Sequence, residues 1–320
     1  MKKARYTILV LLSSLLMMLT GCERRELLED YPVSGIQVKL NWNGVTDKLP
    51  EGMKIIFYPK DDEGVKIESF LSAKGGEVVK VPPGRYAVVV YNYDTETVRL
   101  RDEGSYETVE ARPVSYVDSG VETGMVVAPE MLYAAKMDEL TIAKSDEVLV
   151  VELQPKLTVY TYSFEIKATG LKNVSRITGN VAGMDICYAL GCRDCSTCLS
   201  SPIFFQAEPG NGVIKGSFTA FGPLAHSAHT RSGIEVMLTL ELLKVDGKVQ
   251  KVEVDIAKVI APTPPEGGGE NEPPKGGIDI EVPISGGVIV VEDVKPIPPT
   301  GGGGMGGDVG DWGPEDNVEL

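Results

Sequence analysis

Apolar and polar side chains alternate with a period of two along most of the chain. Ile36, Val38 and Leu40 are separated by polar residues, and short runs rich in Val, Ile and Tyr recur further on. Because successive side chains of a strand point to opposite faces, this pattern predicts half-buried β-strands. The predicted strands are 36–42, 53–58, 65–71, 77–81, 85–92, 106–111, 147–153, 157–167, 177–190, 213–221, 234–243, 249–256 and 278–291. Residues 129–137 fit either a strand or one helical turn.

Turn residues and Pro/Gly tracts divide this series of strands. No stretch alternates strands with long helices, which argues against a doubly wound fold, and short strands separated by turns indicate β-sandwiches. Gln154-Pro155 interrupts the pattern, and Pro83-Gly84 suits the central positions of a type II turn. The predicted fold is therefore all-β, with two tandem β-sandwich domains. The predicted boundaries are 33–154 for the first domain, 155–295 for the second, 261–277 for a flexible loop within it, and 296–320 for a Gly-rich tail.

The first residues have the features of an export signal. Three basic residues precede an apolar run from Tyr6 to Leu19, which is too short to span a membrane comfortably. The run ends in Leu19-Thr20-Gly21-Cys22, which resembles the lipobox of bacterial lipoproteins. We therefore predict a signal peptide at 1–21, acylation of Cys22 with palmitate-type chains and a polar tether at 22–32. Glu23, where Asp would favour inner-membrane retention, indicates the outer membrane. The acidic Glu29-Asp30 pair that follows is compatible with exposure at the cell surface.

The net charge and the lack of known catalytic motifs reduce the number of function classes that fit the sequence. The chain of 320 residues has 31 Lys+Arg against 46 Asp+Glu, a net charge of −15, which argues against nucleic acid as a partner. It has no phosphate-binding loop, no metalloprotease His-Glu motif and no Gly-x-Ser-x-Gly elbow. We therefore expect a protein that is not an enzyme and needs no cofactor.

Four closely spaced cysteines are the main candidates for chemistry. They are Cys187, Cys192, Cys195 and Cys198. In an exported protein such a set most often forms disulfides, so one or two disulfides are the favoured interpretation. Zinc ligation, reduced thiols and an iron–sulfur cluster are the alternatives, in that order. His226 and His229 could complete a zinc site, although a solvated loop is the simpler interpretation.

Several motifs together resemble a known family. They are the lipobox Cys22 with the Glu23–Leu27 segment after it, the run Val81-Pro-Pro-Gly-Arg-Tyr-Ala-Val-Val-Val-Tyr-Asn92, the stretch 169–184, and Asp311-Trp312 beyond a glycine tract. The chain is similar in these to Bacteroidota lipoproteins related to fimbrillin-associated anchor subunits of type V pili. The resemblance implies transthyretin-like sandwiches, anchoring through Cys22, pilin-like partners and a place at the base or tip of a fimbrium. The cysteine cluster is not part of that family pattern.

Two functional hypotheses and a lesser third follow. The first is a fimbrial anchor or accessory subunit that engages partners by β-strand addition, with candidate segments Ile278–Val282, Val288–Val291 and Val318–Leu320. The alternative is a surface adhesin module for glycan or protein without a pilus. Its candidate sugar-stacking residues are Tyr91, Tyr93, Tyr106 and Tyr116, although most tyrosines in strands pack on sheet faces. The third is a zinc or redox protein built on the cysteine cluster.

Overall fold

The computed structural model describes residues 34–45, 48–61, 64–145, 147–191, 201–221, 235–260 and 277–294. Strands dominate these ranges, which hold one helix of four residues and one 3-10 turn. The all-β fold class predicted from the period-two pattern is confirmed.

The first twelve strands are β1 (Ser34–Leu40), β2 (Gly52–Pro59), β3 (Ile67–Ser72), β4 (Val78–Val81), β5 (Gly84–Asn92), β6 (Val98–Arg101), β7 (Glu110–Pro113), β8 (Ser115–Asp118), β9 (Val121–Val127), β10 (Tyr133–Ile142), β11 (Leu149–Leu153) and β12 (Lys156–Leu157). The remaining elements are β13 (Tyr160–Thr169), the 3-10 turn (Leu171–Asn173), β14 (Val174–Ala182), β15 (Tyr188–Ala189), β16 (Ile203–Pro209), β17 (Val213–Ala220), β18 (Met237–Lys244), β19 (Val249–Asp255), helix α1 (Ala257–Ile260), β20 (Ile278–Ile280) and β21 (Ile289–Val290).

Contacts group the chain into two compact units. Of the described residues, unit 1 holds those within 34–112, 130–159 and 187–191, and unit 2 holds those within 113–129, 160–186 and 201–294. Two segments therefore belong to a different unit from their neighbours in the chain. Strand β9 pairs with β16, which places 113–129 in unit 2, and β15 pairs with β7, which places 187–191 in unit 1.

Unit 1 is a sandwich of two sheets. A three-stranded sheet, β11-β1-β4, contributes Ile36 and Val38 to the core, and a five-stranded sheet, β12-β10-β5-β2-β3, contributes Ile55, Phe57 and Val88. These five side chains are fully buried, and each stabilises the fold by roughly 1.5–3 kcal/mol relative to exposure. The alternation seen in the sequence is therefore the alternation between core and outer face.

The five-stranded sheet also buries its second face. Ile56 and Val89, which point away from the sandwich core, are fully buried. The segment between β6 and β7 covers this face: the rings of Tyr58 and Tyr106 lie 5.9 Å apart, and Lys54 Nζ lies 2.7 Å from Glu103. The predicted strand at 106–111 is wrong over its first part, because these residues form a covering turn and the strand begins at Glu110.

Unit 2 is built around a ten-stranded sheet. Seven of its strands follow the order β19-β18-β14-β16-β17-β13-β20, and the other three, β8, β9 and β21, pair at the side. Aromatic rings fill its core. Phe205 meets Phe164 edge to face at 5.7 Å and Phe218 at 5.7 Å, and Phe218 stacks on Tyr162 at 5.1 Å.

Several local predictions need correction. Gly84 begins strand β5 with φ 158°, close to extended, and does not have the φ near +80° of a type II turn. Instead the Tyr86 hydroxyl donates to the Pro82 carbonyl at 3.1 Å and closes this corner. The predicted strand at 177–190 is two strands, β14 and β15, and that at 278–291 is also two, β20 and β21. The sequence pattern also missed β6, β8, β9 and β16.

Candidate partner-binding edge and cysteine segment

Several predicted site residues lie outside the described ranges. They are Cys22, Cys192, Cys195, Cys198, His226, His229 and Val318–Leu320. The predicted signal peptide, most of the loop at 261–277 and the Gly-rich tail also fall there, so these remain predictions. Among the residues that are described, no helix is long and apolar enough to cross a membrane.

Cys187 is the one cysteine of the cluster within the described chain. It is 3% exposed and disulfide-bonded. Its partner lies outside the described residues, so the pairing within the cluster stays a prediction. In the described ranges, no group of three or more His, Cys, Asp or Glu side chains is placed to hold a metal ion.

The residues after Cys187 form a strap on unit 1. Strand β15 pairs with β7, and the Leu190 amide donates to the Val109 carbonyl at 3.1 Å. Lys136 Nζ donates to the Gly191 carbonyl at 2.7 Å. A Cβ at Gly191 would lie only 1.6 Å from the Tyr106 carbonyl oxygen, so glycine is required for this close approach. The cysteine cluster thus begins on a well-anchored segment.

Two of the three predicted strand-addition segments form strands at the edge of unit 2. Strand β20 pairs in parallel with 162–164 of β13, and β21 pairs in parallel with 168–169 of the same strand. Ile280 and Ile289 are each 4% exposed and belong to the unit 2 core. The segment 277–294 therefore completes the sheet through five residue pairs and a few buried aliphatic side chains.

A surface cavity of about 480 Å³ lies beside this edge. Its charged lining residues are Glu165, Lys215, Asp279 and Glu281. Lys215 pairs with Glu165, which leaves the cavity with an acidic balance.

The tyrosines proposed as sugar platforms fall into different environments. Tyr91 is 3% exposed and Tyr106 is 9% exposed, so both serve the interior of unit 1. Tyr116 stacks on Phe204 with ring centroids 3.8 Å apart. Tyr93 alone of the four is open to solvent, at 48% exposure, and it meets Phe70, a residue that the sequence analysis did not single out.

A partly buried charge network on unit 1 was also missed at the sequence level. Lys54 Nζ lies 3.0 Å from Glu68 and 2.7 Å from Glu103, and Lys66 Nζ lies 2.6 Å from Glu68. Burial opposes the charge on Lys54, but hydrogen bonds to Glu103 and Glu68 outweigh it and raise the lysine pKa. Hydrogen bonds from Lys66 and Lys54 lower the pKa of Glu68. Burial, with the nearby Glu103 charge, raises the pKa of Tyr91 to about 12.

This network ties strands β2 and β3 to the segment that covers the sheet. Lys54 and Glu103 are 49 residues apart, so no local motif could have revealed the pair. The two lysines and two glutamates of the network balance each other in charge. We therefore interpret the network as a structural contact between strands and covering segment.

Comparison with known proteins gives consistent matches. A family model described as a domain of unknown function, DUF5119, matches residues 21–206. A Bacteroides ovatus protein named as a candidate fimbrium anchoring subunit, Fim4B, is 45% identical over 333 residues, covering 100% of this chain and 99% of the relative.

The chain is also similar to several solved structures. A candidate adhesin from Bacteroides ovatus ATCC 8483 is 38% identical, with a TM-score of 0.69, covering 86% of this chain and 98% of that chain. The fimbrial anchor protein Mfa2 of Porphyromonas gingivalis is 10% identical, with a TM-score of 0.46, covering 71% of this chain and 83% of that one. This last similarity is too distant to carry a conclusion.

Proposed function

The chain belongs to the DUF5119 family, and we propose that it is a fimbrial anchor or accessory subunit. The observation that carries the proposal is the 45% identity, over the whole chain, to a protein named as a candidate fimbrium anchoring subunit. An identity at that level over the whole given sequence and 99% of the relative supports a common fold and a common role. The resemblance seen in the sequence motifs points in the same direction.

The role proposed here is structural and not catalytic. In the described ranges the buried charged residues, Glu110 and Lys244, have oppositely charged partners in Arg112 and Glu292. The described cavities bring together no nucleophile, base and orienting group of the kind that covalent catalysis needs.

Attachment to the cell is proposed to run through Cys22. The basic n-region, the apolar run and the lipobox support a lipid anchor in the outer membrane, since several acyl chains on one residue hold a protein firmly. The polar tether at 22–32 then separates the membrane from the first strand, β1. A chain anchored in the outer membrane in this way could bind pilin-like subunits, which are its proposed partners.

Strand addition is the proposed mode of engagement. The edge formed by β20 and β21 supports it, because these short strands end the unit 2 sheet on the far side of β13. At a sheet edge, backbone hydrogen bonds give affinity while alternate side chains give register. The segments Ile278–Val282 and Val288–Val291 would act through this edge, and Val318–Leu320 remains a third candidate.

Co-purification tests the proposal. A tagged full-length chain would be extracted from the envelope in mild detergent, and its companions identified and quantified by mass spectrometry. We expect pilin-like β-sandwich subunits in amounts well above those obtained with an unrelated tagged lipoprotein. Recovery of the chain without such subunits would contradict the fimbrial role.

A second function has its own support. The 38% identical structure is that of a candidate adhesin, and an adhesin module could bind glycan or protein without a pilus. A glycan array probed with the purified ectodomain separates the two, because the fimbrial role predicts no specific saccharide signal.

A further inference from the structure

Two exposed aromatic side chains meet at one end of the five-stranded sheet of unit 1, and an exposed methionine precedes strand β10 at the same end. Phe70 is 63% exposed, Tyr93 is 48% exposed and Met131 is 41% exposed. Strands β3, β2, β5 and β10 are antiparallel neighbours, so the end of β3, the end of β5 and the start of β10 lie at the same end of the sheet. We call Phe70 and Tyr93 the aromatic ledge.

The ledge is held in place although it is exposed. The rings of Phe70 and Tyr93 meet edge to face, with centroids 5.1 Å apart. Tyr93 also lies over Gly52, where an added Cβ would come within 2.6 Å of the tyrosine hydroxyl. Two rings fixed in this way lose little conformational entropy when a partner covers them, which favours binding.

Carboxylates surround the ledge. Glu51 precedes Gly52, Asp94 follows Tyr93, and Glu130 precedes Met131. Asp94 accepts a hydrogen bond from the Glu51 amide at 2.7 Å, and Glu130 accepts from two further backbone amides at 2.5 and 3.0 Å. Within the described part of the chain none of these three carboxylates has an ion-pair partner. An apolar centre with a negative rim is complementary to an apolar segment flanked by cations.

We propose that the aromatic ledge is the docking surface for a fimbrial subunit that presents an apolar segment flanked by Lys or Arg. This inference rests on the proposed function and adds a surface in unit 1, separate from the edge formed by β20 and β21. Aromatic residues and Met are enriched at the centres of protein interfaces.

The experiment compares fimbrial subunits recovered with tagged full-length variants. Phe70→Ser combined with Tyr93→Ser removes the two rings, and Val249→Ser, which removes a 57% exposed side chain in unit 2, is the matched control. We expect at least a ten-fold loss of co-purified subunit for the double variant and none for the control. Glu51→Lys is expected to lower recovery several-fold, and raising the salt to about 0.5 M is expected to do the same, since rim charges are screened.

The outcomes separate the two proposals. If the wild-type chain recovers no fimbrial subunit, the proposed function fails before the ledge is tested. If the wild type and the double variant recover equal amounts, the ledge inference fails and the fimbrial role stands. A photo-crosslinking residue at position 70 guards against loss of folding in the double variant. It should join the chain to a basic segment of a fimbrial subunit, whereas crosslinks only to other proteins or to saccharide overturn the inference.

Discussion

Glycines lie beneath aromatic rings at two places in unit 2. A Cβ at Gly216 would lie 2.3 Å from the Phe164 ring, and one at Gly179 would lie 2.5 Å from the Phe205 ring. Each glycine pairs directly with the aromatic residue that covers it. The rings therefore occupy space that any other residue would need, and the sequence alone could not show this because each pair is set by strand register.

Substitution at Gly216 tests this packing. Gly216→Val should lower the free energy of unfolding by about 1–3 kcal/mol, because the Phe164 ring must leave its position in the core. Gly104→Val is the control, since a Cβ at Gly104 meets nothing within 4 Å. Urea denaturation measures both. Equal stability of the two variants would show that the ring moves aside without cost.

The charge network predicts a dependence of stability on pH. The pKa of Glu68 is lowered in the folded chain, first by Lys66 and then by Lys54, so its contribution to stability is present above its usual value of 4.5. That contribution is lost as the pH falls through the lowered folded-state pKa. Glu68→Gln should therefore flatten the fall in melting temperature in this acidic range. Glu253→Gln, in an exposed pair with Lys251, should keep the wild-type slope, and equal slopes for all three proteins would contradict the assignment.

At the level of elements, the period-two pattern predicted most strands but not how they pair. Strand β16 was missed although Ile203, Phe205 and Ala207 alternate with more exposed neighbours, so its signal was present. The apolar residues Tyr106 and Val109 suggest a strand in the sequence. In the structure they are buried because the turn at 106–109 covers a face of the five-stranded sheet. Apolar residues in the sequence indicate burial in β16 and in the turn at 106–109 alike. They do not show whether a buried segment is a strand or a turn that covers a sheet.

Strand β20 is the element most open to test. Ile280→Ala should lower the free energy of unfolding by about 2–4 kcal/mol, because the side chain is 4% exposed and its loss leaves a cavity beside β13. Asp279→Ala removes the preceding, exposed side chain and should change stability by no more than about 0.5 kcal/mol. Thermal or urea unfolding measures the stability of both variants. Equal free energies of unfolding for the two would contradict the role of β20.

On the scale of the whole molecule, chain order and spatial grouping differ. The hairpin β8–β9 and the strap after Cys187 each group with the unit formed mainly by the other half of the chain. Short pairings such as β9 with β16 decide this, and they leave no periodic trace in the sequence. The fold class and the resemblance to fimbrial proteins could be predicted; the aromatic ledge could not, because its residues come from separate strands.

The proposed lipid anchor makes a prediction for the whole chain. Cys22→Ser should move the protein from the detergent-extracted membrane fraction to the soluble fraction, because acyl chains supply most of the membrane affinity. Fractionation and immunoblotting measure the shift. Cys187→Ser, with the lipobox intact, should stay in the membrane fraction. If Cys22→Ser also remained there, attachment would not depend on this residue.

The central claim is that the chain holds a fimbrium to the cell. The most direct test compares the distribution of fimbrial subunits between cells and medium in strains with and without this protein. The account predicts that without it the subunits still assemble but are released into the medium, and that the wild-type chain restores them to the cells while Cys22→Ser does not. Fimbriae that stay on cells lacking this protein would contradict the claim.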